Sequence, residues 1–233
     1  MNDRTNNFEL LGSPWICENA HANWTAPAAH GLFKKFKKKE IIIHSGDQID
    51  CIYYLNKGRI KTVAQSPSGS QKILWYIEAG SIFGETPFFN RKPCDYNFFA
   101  VTDCEIYIYP MSVIMEEIIP NFPELTISII KTLSRKVHIL STQVEDCVFN
   151  KPLARVAKLI YLLYQGRILV DKKGSSSIPL TQEDIANTLG MHRVTVNQAL
   201  KHLKEMRALK DHTHLIIIHD LEKLKEIMEA DNS

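Results

Sequence analysis

The sequence predicts an α+β chain in three parts: a double-sheet jelly roll of short strands, a long helix, and a winged helix-turn-helix. Three observations carry this reading. Over residues 31–110, short apolar runs recur between turn residues at a spacing of about ten, the pattern of a sandwich or barrel. Ile130, Leu133, Val137, Leu140 and Val144 then recur at alternating steps of three and four. Finally, a strongly helical stretch near residue 190 is interrupted by a single glycine, Gly190.

The strand candidates are Ile41-Ile42-Ile43, Ile52-Tyr53-Tyr54-Leu55, Ile73-Leu74-Trp75-Tyr76-Ile77 and Ile106-Tyr107-Ile108-Tyr109. Gly46-Asp47, Lys57-Gly58, Ser66-Pro67-Ser68-Gly69 and Ala79-Gly80 separate them with turn chemistry. Antiparallel strands of this kind close as a jelly roll. Residues 1–30 are left as an N-terminal extension. The basic run Lys34-Lys35-Phe36-Lys37-Lys38-Lys39 reads as a solvated strand or helix entry.

Residues 111–148 form the long-helix region, entered through Pro120 and Pro123. The stripe Ile130, Leu133, Val137, Leu140, Val144 is an a/d seam, continued by Cys147, and favours pairing with a second copy. Packing onto the chain's own core is the alternative. The last part spans 149–233. Asn150 is a candidate cap, Pro152 fits a first turn, and Leu153, Val156, Ala157, Ile160 and Leu163 share one face.

Thr181 with Asp184 makes an acidic capping box. Counted from Gln182, every slot of a helix-turn-helix is suitably filled. Ala186 is small where the helices cross, Gly190 takes the turn, and Ile185, Leu189, Met191, Val196 and Ala199 are apolar. Leu209–Ile218 reads as strand, turn, strand: a wing. The second helix carries His192, Arg193, Val194, Asn197, Gln198 and Lys201 on its outer side. Such a helix fits the major groove of duplex DNA, where Arg pairs with guanine or phosphate, Asn and Gln suit adenine, and Val meets a thymine methyl; Lys201 suits a phosphate. From residue 149 to 219, eleven Lys/Arg face five Asp/Glu, an excess of six that suits a polyanion.

The composition, 45% hydrophobic and 23% charged, fits a packed soluble protein. The lack of a ~20-residue apolar run or a signal-peptide pattern points to a cytoplasmic protein with no membrane partner. Five scattered cysteines read as free thiols. No metal set or catalytic constellation is evident: the roll region offers only His44 with scattered acids, and no nucleophile has a convincing base.

In this order of parts the chain resembles the Crp/Fnr transcription regulators. The marker stretches are I-H-S-G-D (43–47), Y-L-N-K-G-R-I-K (54–61), G-S-I-F-G-E (80–85) and T-L-G-M-H-R-V-T-V-N-Q-A-L (188–200). The resemblance implies a cyclic-nucleotide-binding-like roll, a homodimer on a two-fold-related DNA site, RNA polymerase as a partner, and an allosteric effector. In cyclic-nucleotide members an Arg-Ser or Arg-Thr pair after Gly-Glu grips the phosphate. Gly84-Glu85 match, but the pair falls on Cys94-Asp95 or Asp95-Tyr96, and a carboxylate there repels a phosphate. Arg91 could replace it only in a remodelled loop. Only Cys17 lies near the N-terminus, too few thiolates for an iron–sulfur cluster. His21, His30 or His44 could ligate a haem, and Cys17, Cys94 or Cys147 could act as a redox switch.

The chain is most similar in pattern to the halorespiration regulators of this family, which respond to chlorinated phenolic compounds. Shared features are K-x-x-x-x-K-V at Lys131–Val137, F-N-K-P at 149–152 and V-T-V at 194–196. There a helix lysine, matched by Lys136, assists a phenolate, while a neighbouring tyrosine is Leu133 here. The resemblance therefore implies a small aromatic acid or phenol as effector, with no obligatory cofactor, held by Gly84, Glu85, Tyr76, Phe88, Tyr96 and Lys136. A Ser-Arg pair of those relatives is Asn197-Gln198 here, which moves the expected site to an A/T-rich inverted repeat.

Overall fold

The computed structural model describes residues 15–17, 22–165, 177–178, 180–210 and 216–230. They fall into two compact units, Trp15–Leu140 and the residues from Ser141 onward. In the first unit the strands are β1 (Ile16–Cys17), β2 (Leu32–Phe36), β3 (Ile41–Ile43), β4 (Cys51–Lys57), β5 (Arg59–Gln65), β6 (Gln71–Glu78), β7 (Ile82–Phe83), β8 (Asn97–Ala100) and β9 (Cys104–Pro110). They form a five-stranded sheet, β1-β6-β5-β8-β3, and a four-stranded sheet, β2-β9-β4-β7. This is the expected two-sheet roll, and all four apolar runs read as strands lie in it.

Alternation along β4 shows how the roll is built. Tyr53 and Leu55 enter a core shared with Ile60, Trp75, Phe83 and Phe98, while Ile52 and Tyr54 enter a second core with Trp24, Phe88 and Tyr109. Both faces of the strand are buried, so it reads as a continuous apolar run. The β4–β5 turn requires Gly58: its φ is +101°, and a Cβ there would lie 2.5 Å from the Asp103 carbonyl oxygen.

The described part of the N-terminal extension packs with the roll. Ile16 and Cys17 pair in parallel with Tyr76 and Ile77. Further on, the Trp24 indole donates to Ser128 Oγ at 2.8 Å, and the Tyr109 hydroxyl donates to the Trp24 carbonyl. Two paired residues are too few to show a period, so the sequence could not reveal this strand.

After β9 a π-helical stretch, Val113–Ile118, runs into Ile119–Asn121. The long helix, Pro123–Phe149, follows, and the boundary between the two units falls within it. Leu125, Ile129 and Ile139 face the first unit's cores. Ile130, Val137, Leu140 and Val144 are exposed as the seam requires, and Ile127 and Val148 extend the stripe. Leu133 departs from it: half-buried, it packs onto the core containing Trp24. One helical step of four from Ile129 turns it inward.

The second unit contains helices Pro152–Gln165, Gln182–Leu189, Arg193–Glu205 and Leu221–Glu229. A small antiparallel sheet has the order β10 (Ser177–Ile178), β12 (Ile216–Ile218), β11 (Leu209–Lys210). The wing strands are thus present with a third strand added, while its turn, including His212 and His214, lies outside the described residues. Asn150 does not cap Pro152–Gln165. Its amide donates backwards to Asp146 Oδ1 at 2.9 Å, and its Oδ1 accepts nothing among the described residues.

Ile139 is fully buried in the inner core of the roll. Ile139→Ala is expected to cost about 2–5 kcal/mol, read as a lower urea midpoint at unchanged slope.

Candidate functional site

Two groups of side chains stand out, one in each unit. The first is inside the roll. Gly84 adopts φ +85° with its Cβ position 2.8 Å from the Tyr53 ring, so only glycine fits this turn. The turn starts a short helix, Glu85–Asn90, and drives Glu85 into the interior, where it is fully buried. From the long helix, Lys136 enters the same space and is only 5% exposed. Its Nζ donates to Glu85 Oε1 at 2.5 Å and lies 5.4 Å from the centre of the Trp75 ring.

Polar atoms left over at this place are informative. Glu85 Oε2, Trp75 Nε1 and Thr62 Oγ1 are buried and meet no hydrogen-bond partner among the described residues. Thr62 lies directly across from Trp75 on one neighbouring strand and from Phe98 on the other, so the three share a face. Each such orphan costs about 1–3 kcal/mol, and one on the ion pair itself with two more on paired strands of the same core call for an explanation beyond packing. Apolar walls come from Phe83, stacked on Phe98 at 5.5 Å, and Tyr96, edge-on to Trp75 at 6.4 Å. Burial, then the Asp95 charge, raises the Tyr96 phenol above its ordinary value, so it stays neutral here.

Of the expected effector residues, Gly84, Glu85, Tyr96 and Lys136 therefore gather at or beside one place. Tyr76 and Phe88 do not. Tyr76 sits between Trp75 and Ile77 on β6, and strand alternation sends it to the face of the sheet opposite the core that Trp75 and Ile77 enter. Phe88 belongs to the second core, with Trp24 and Tyr109. Trp75 and Thr62 replace them. Trp75 was among the aromatic residues of the roll, but nothing in the sequence distinguished it from Tyr76.

Where the phosphate-gripping pair falls in cyclic-nucleotide members, Cys94 is buried and Asp95 exposed. Arg91 is turned away, its guanidinium on the Met111 sulfur at 3.0 Å. Cys51, Cys94 and Cys104 have thiols raised above their ordinary value, chiefly by burial, which makes them poor nucleophiles; Cys147 is exposed. His30 pairs with Glu117, His44 is exposed, and His21 lies outside the described residues. Among the described residues no His/Cys/Asp/Glu cluster could hold a metal, and no helix is long and apolar enough to cross a membrane.

The second group is the helix pair 182–189 and 193–205. The Thr181–Asp184 capping box is complete, Gly190 ends the first helix at φ 64°, and Arg155 donates to the Leu189 carbonyl at 2.6 Å. Val196, Ala199, Leu200 and Leu203 anchor the second helix inward. His192, Arg193, Val194, Asn197, Gln198 and Lys201 are all exposed, as expected. Val194 is 69% exposed, which leaves an apolar side chain in water at the front of the helix. Not every cation of the basic excess is free for a polyanion. Lys158 is buried on Asp146 at 2.6 Å, and Arg155 is held by Leu189 and Cys147.

A roll with a polar-lined interior, joined through a long helix to a winged helix-turn-helix, defines an effector-responsive DNA-binding regulator. Family comparisons agree: residues 33–119 match the cyclic nucleotide-binding domain, and residues 154–227 match the Crp-like helix-turn-helix domain. The chain belongs to the Crp/Fnr family of transcription regulators. It is 25% identical over 192 residues to the cAMP-activated global transcriptional regulator CRP of Pasteurella multocida, covering 82% of this chain and 91% of that protein. It is likewise 25% identical to a CRP-like cAMP-activated regulator of Mycobacterium tuberculosis, covering 81% and 84%. Among solved structures, the c-di-GMP responsive regulator CLP of Xanthomonas campestris superposes with a TM-score of 0.75 at 16% identity, covering 82% of this chain and 95% of that one. OCPA-complexed CprK, a halorespiration regulator, superposes with a TM-score of 0.70 at 24% identity, covering 93% and 98%. These relatives are regulators, not enzymes.

Lys136→Ala would strand a buried carboxylate and is expected to destabilise the fold by about 3–5 kcal/mol. Lys136→Met combined with Glu85→Gln should recover most of that loss, and a double-mutant cycle in urea measures the coupling.

Proposed function

We infer that the protein is a homodimeric regulator that binds an A/T-rich inverted repeat and answers to a small aromatic acid or phenol inside the roll. The observation that carries this is the buried Lys136–Glu85 pair beside the Trp75 ring, with Glu85 Oε2, Trp75 Nε1 and Thr62 Oγ1 unpartnered among the described residues. An anionic oxygen of the ligand would take Lys136 and the Trp75 indole, its ring would lie among Trp75, Tyr96 and Phe98, and a hydroxyl could donate to Glu85. The cation comes from the long helix rather than from the approach to β8, where cyclic-nucleotide members keep theirs. This supports an organic acid over a cyclic nucleotide, and no cofactor is needed.

The exposed stripe Ile130, Val137, Leu140, Val144 supports pairing with a second copy. Ligand binding would then bias the helix pair, and the break between Phe149 and Pro152 would pass this to the recognition helices. To do so, the ligand must bind one state of the dimer better than the other. Exposed Val194, Asn197 and Gln198 favour A/T pairs through thymine methyls and adenine edges. In this reading RNA polymerase is the downstream partner and the protein works in the cytoplasm.

A thermal-shift panel of halogenated and plain phenolic acids, cyclic nucleotides and haem tests the effector. A phenolic acid should raise the melting temperature by mass action, and Lys136→Met with Glu85→Gln should abolish the shift. A rise with a cyclic nucleotide alone would overturn the assignment. Val137→Glu should convert a dimer to a monomer in sedimentation velocity, because it puts like charges across the seam.

A further inference from the structure

We propose that Gln182, outside the recognition helix, is a positioning residue that sets base preference by fixing the amide of Asn197; this rests on the DNA-binding reading above. Gln182 opens the first helix of the helix-turn-helix, and its Nε2 donates to Asn197 Oδ1 at 3.2 Å across fifteen residues of sequence. Its backbone is held firmly. Thr181 and Asp184 close the capping box on either side of it, and Asp184 Oδ2 accepts from both the Thr181 N–H and hydroxyl, at 3.0 and 2.6 Å.

The geometry of the second helix explains why Asn197 needs support. At about 100° per residue, the face opposite Val196, Ala199, Leu200 and Leu203 is centred on Val194, Gln198 and Lys201. Asn197 lies on the flank beside Gln182, where a side chain without a partner would sample several rotamers. A planar amide reads adenine by accepting from the exocyclic amine and donating to N7 along one edge. A carbonyl oxygen has two lone pairs, so Oδ1 can hold Gln182 with one and leave the other on that reading edge. The bond therefore does not consume the recognition capacity of Asn197. It orients the reading edge away from the protein. Lys201, by contrast, is near Glu205 at 3.9 Å and suits a phosphate, which carries no sequence information.

The test is selection of random-core duplexes by the full-length protein at low salt, followed by competition between the selected site and its single-base-pair variants. Asn197→Ala should reduce discrimination about ten-fold at one base pair of each half-site. Gln182→Ala should reduce it about three- to ten-fold at that same pair, leave other positions unchanged, and add nothing in the Asn197→Ala background. Gln182→Glu can only accept, so it would turn the Asn197 amide over to meet Nδ2; the preference at that same pair should then change rather than return, while all duplexes weaken alike. Uniform weakening by Gln182→Ala that persists with Asn197→Ala would show a direct backbone contact and overturn the proposal. A shift of preference at a different base pair would overturn it equally. A wild-type protein that enriches no sequence would instead remove the DNA-readout reading on which it rests.

Discussion

A lysine and a glutamate buried against each other constrain everything around them. Lys136 and Glu85 cannot both be buried unless each faces the other, because an unpaired charge in that interior costs several kcal/mol. Once Lys136 must point into the roll, the rotation of the long helix is set. Residues near it in the helical repeat, Ile129 and Ile139, turn inward, while Val137 and Leu140 turn out. The pair is thus a support for the fold that ties the long helix to the roll.

The second unit follows the same electrostatic logic. Asp146, near the end of the long helix, is buried on Lys158 and also accepts from Asn150. Arg155 closes the carbonyl end of the helix before Gly190 and touches the Cys147 sulfur. Charges that composition would assign to a polyanion partner thus hold the break after Phe149 and the turn of the helix-turn-helix. Among the described residues, Arg193 and Lys201 stay exposed on the recognition helix.

Much of the fold was legible because its signals are local and periodic. The strand runs, the capping box at Thr181, the left-handed turn at Gly190 and the stripe from Ile130 to Val144 are all statements about neighbours a few residues apart. The candidate effector site was legible only in part. Lys136 and Glu85 could be named from resemblance, but their pairing across 51 residues could not. Tyr76 and Trp75 are adjacent and equally aromatic, and only the placement of β6 between β1 and β5 decides which faces inward. Phe88 goes to the second core because Gly84 starts a helix that carries it past the first.

By itself, then, the sequence determined the three parts and their order, the helix-turn-helix with its outward polar set, and the family. Backbone propensity, capping and apolar period act over short separations and leave a readable pattern. Tertiary structure alone decided that Lys136 is buried rather than solvated, that Leu133 leaves the seam, and that Gln182 reaches Asn197. Each depends on the rotation of one element against another, which is set by packing and by pairing buried charges between residues far apart in the chain.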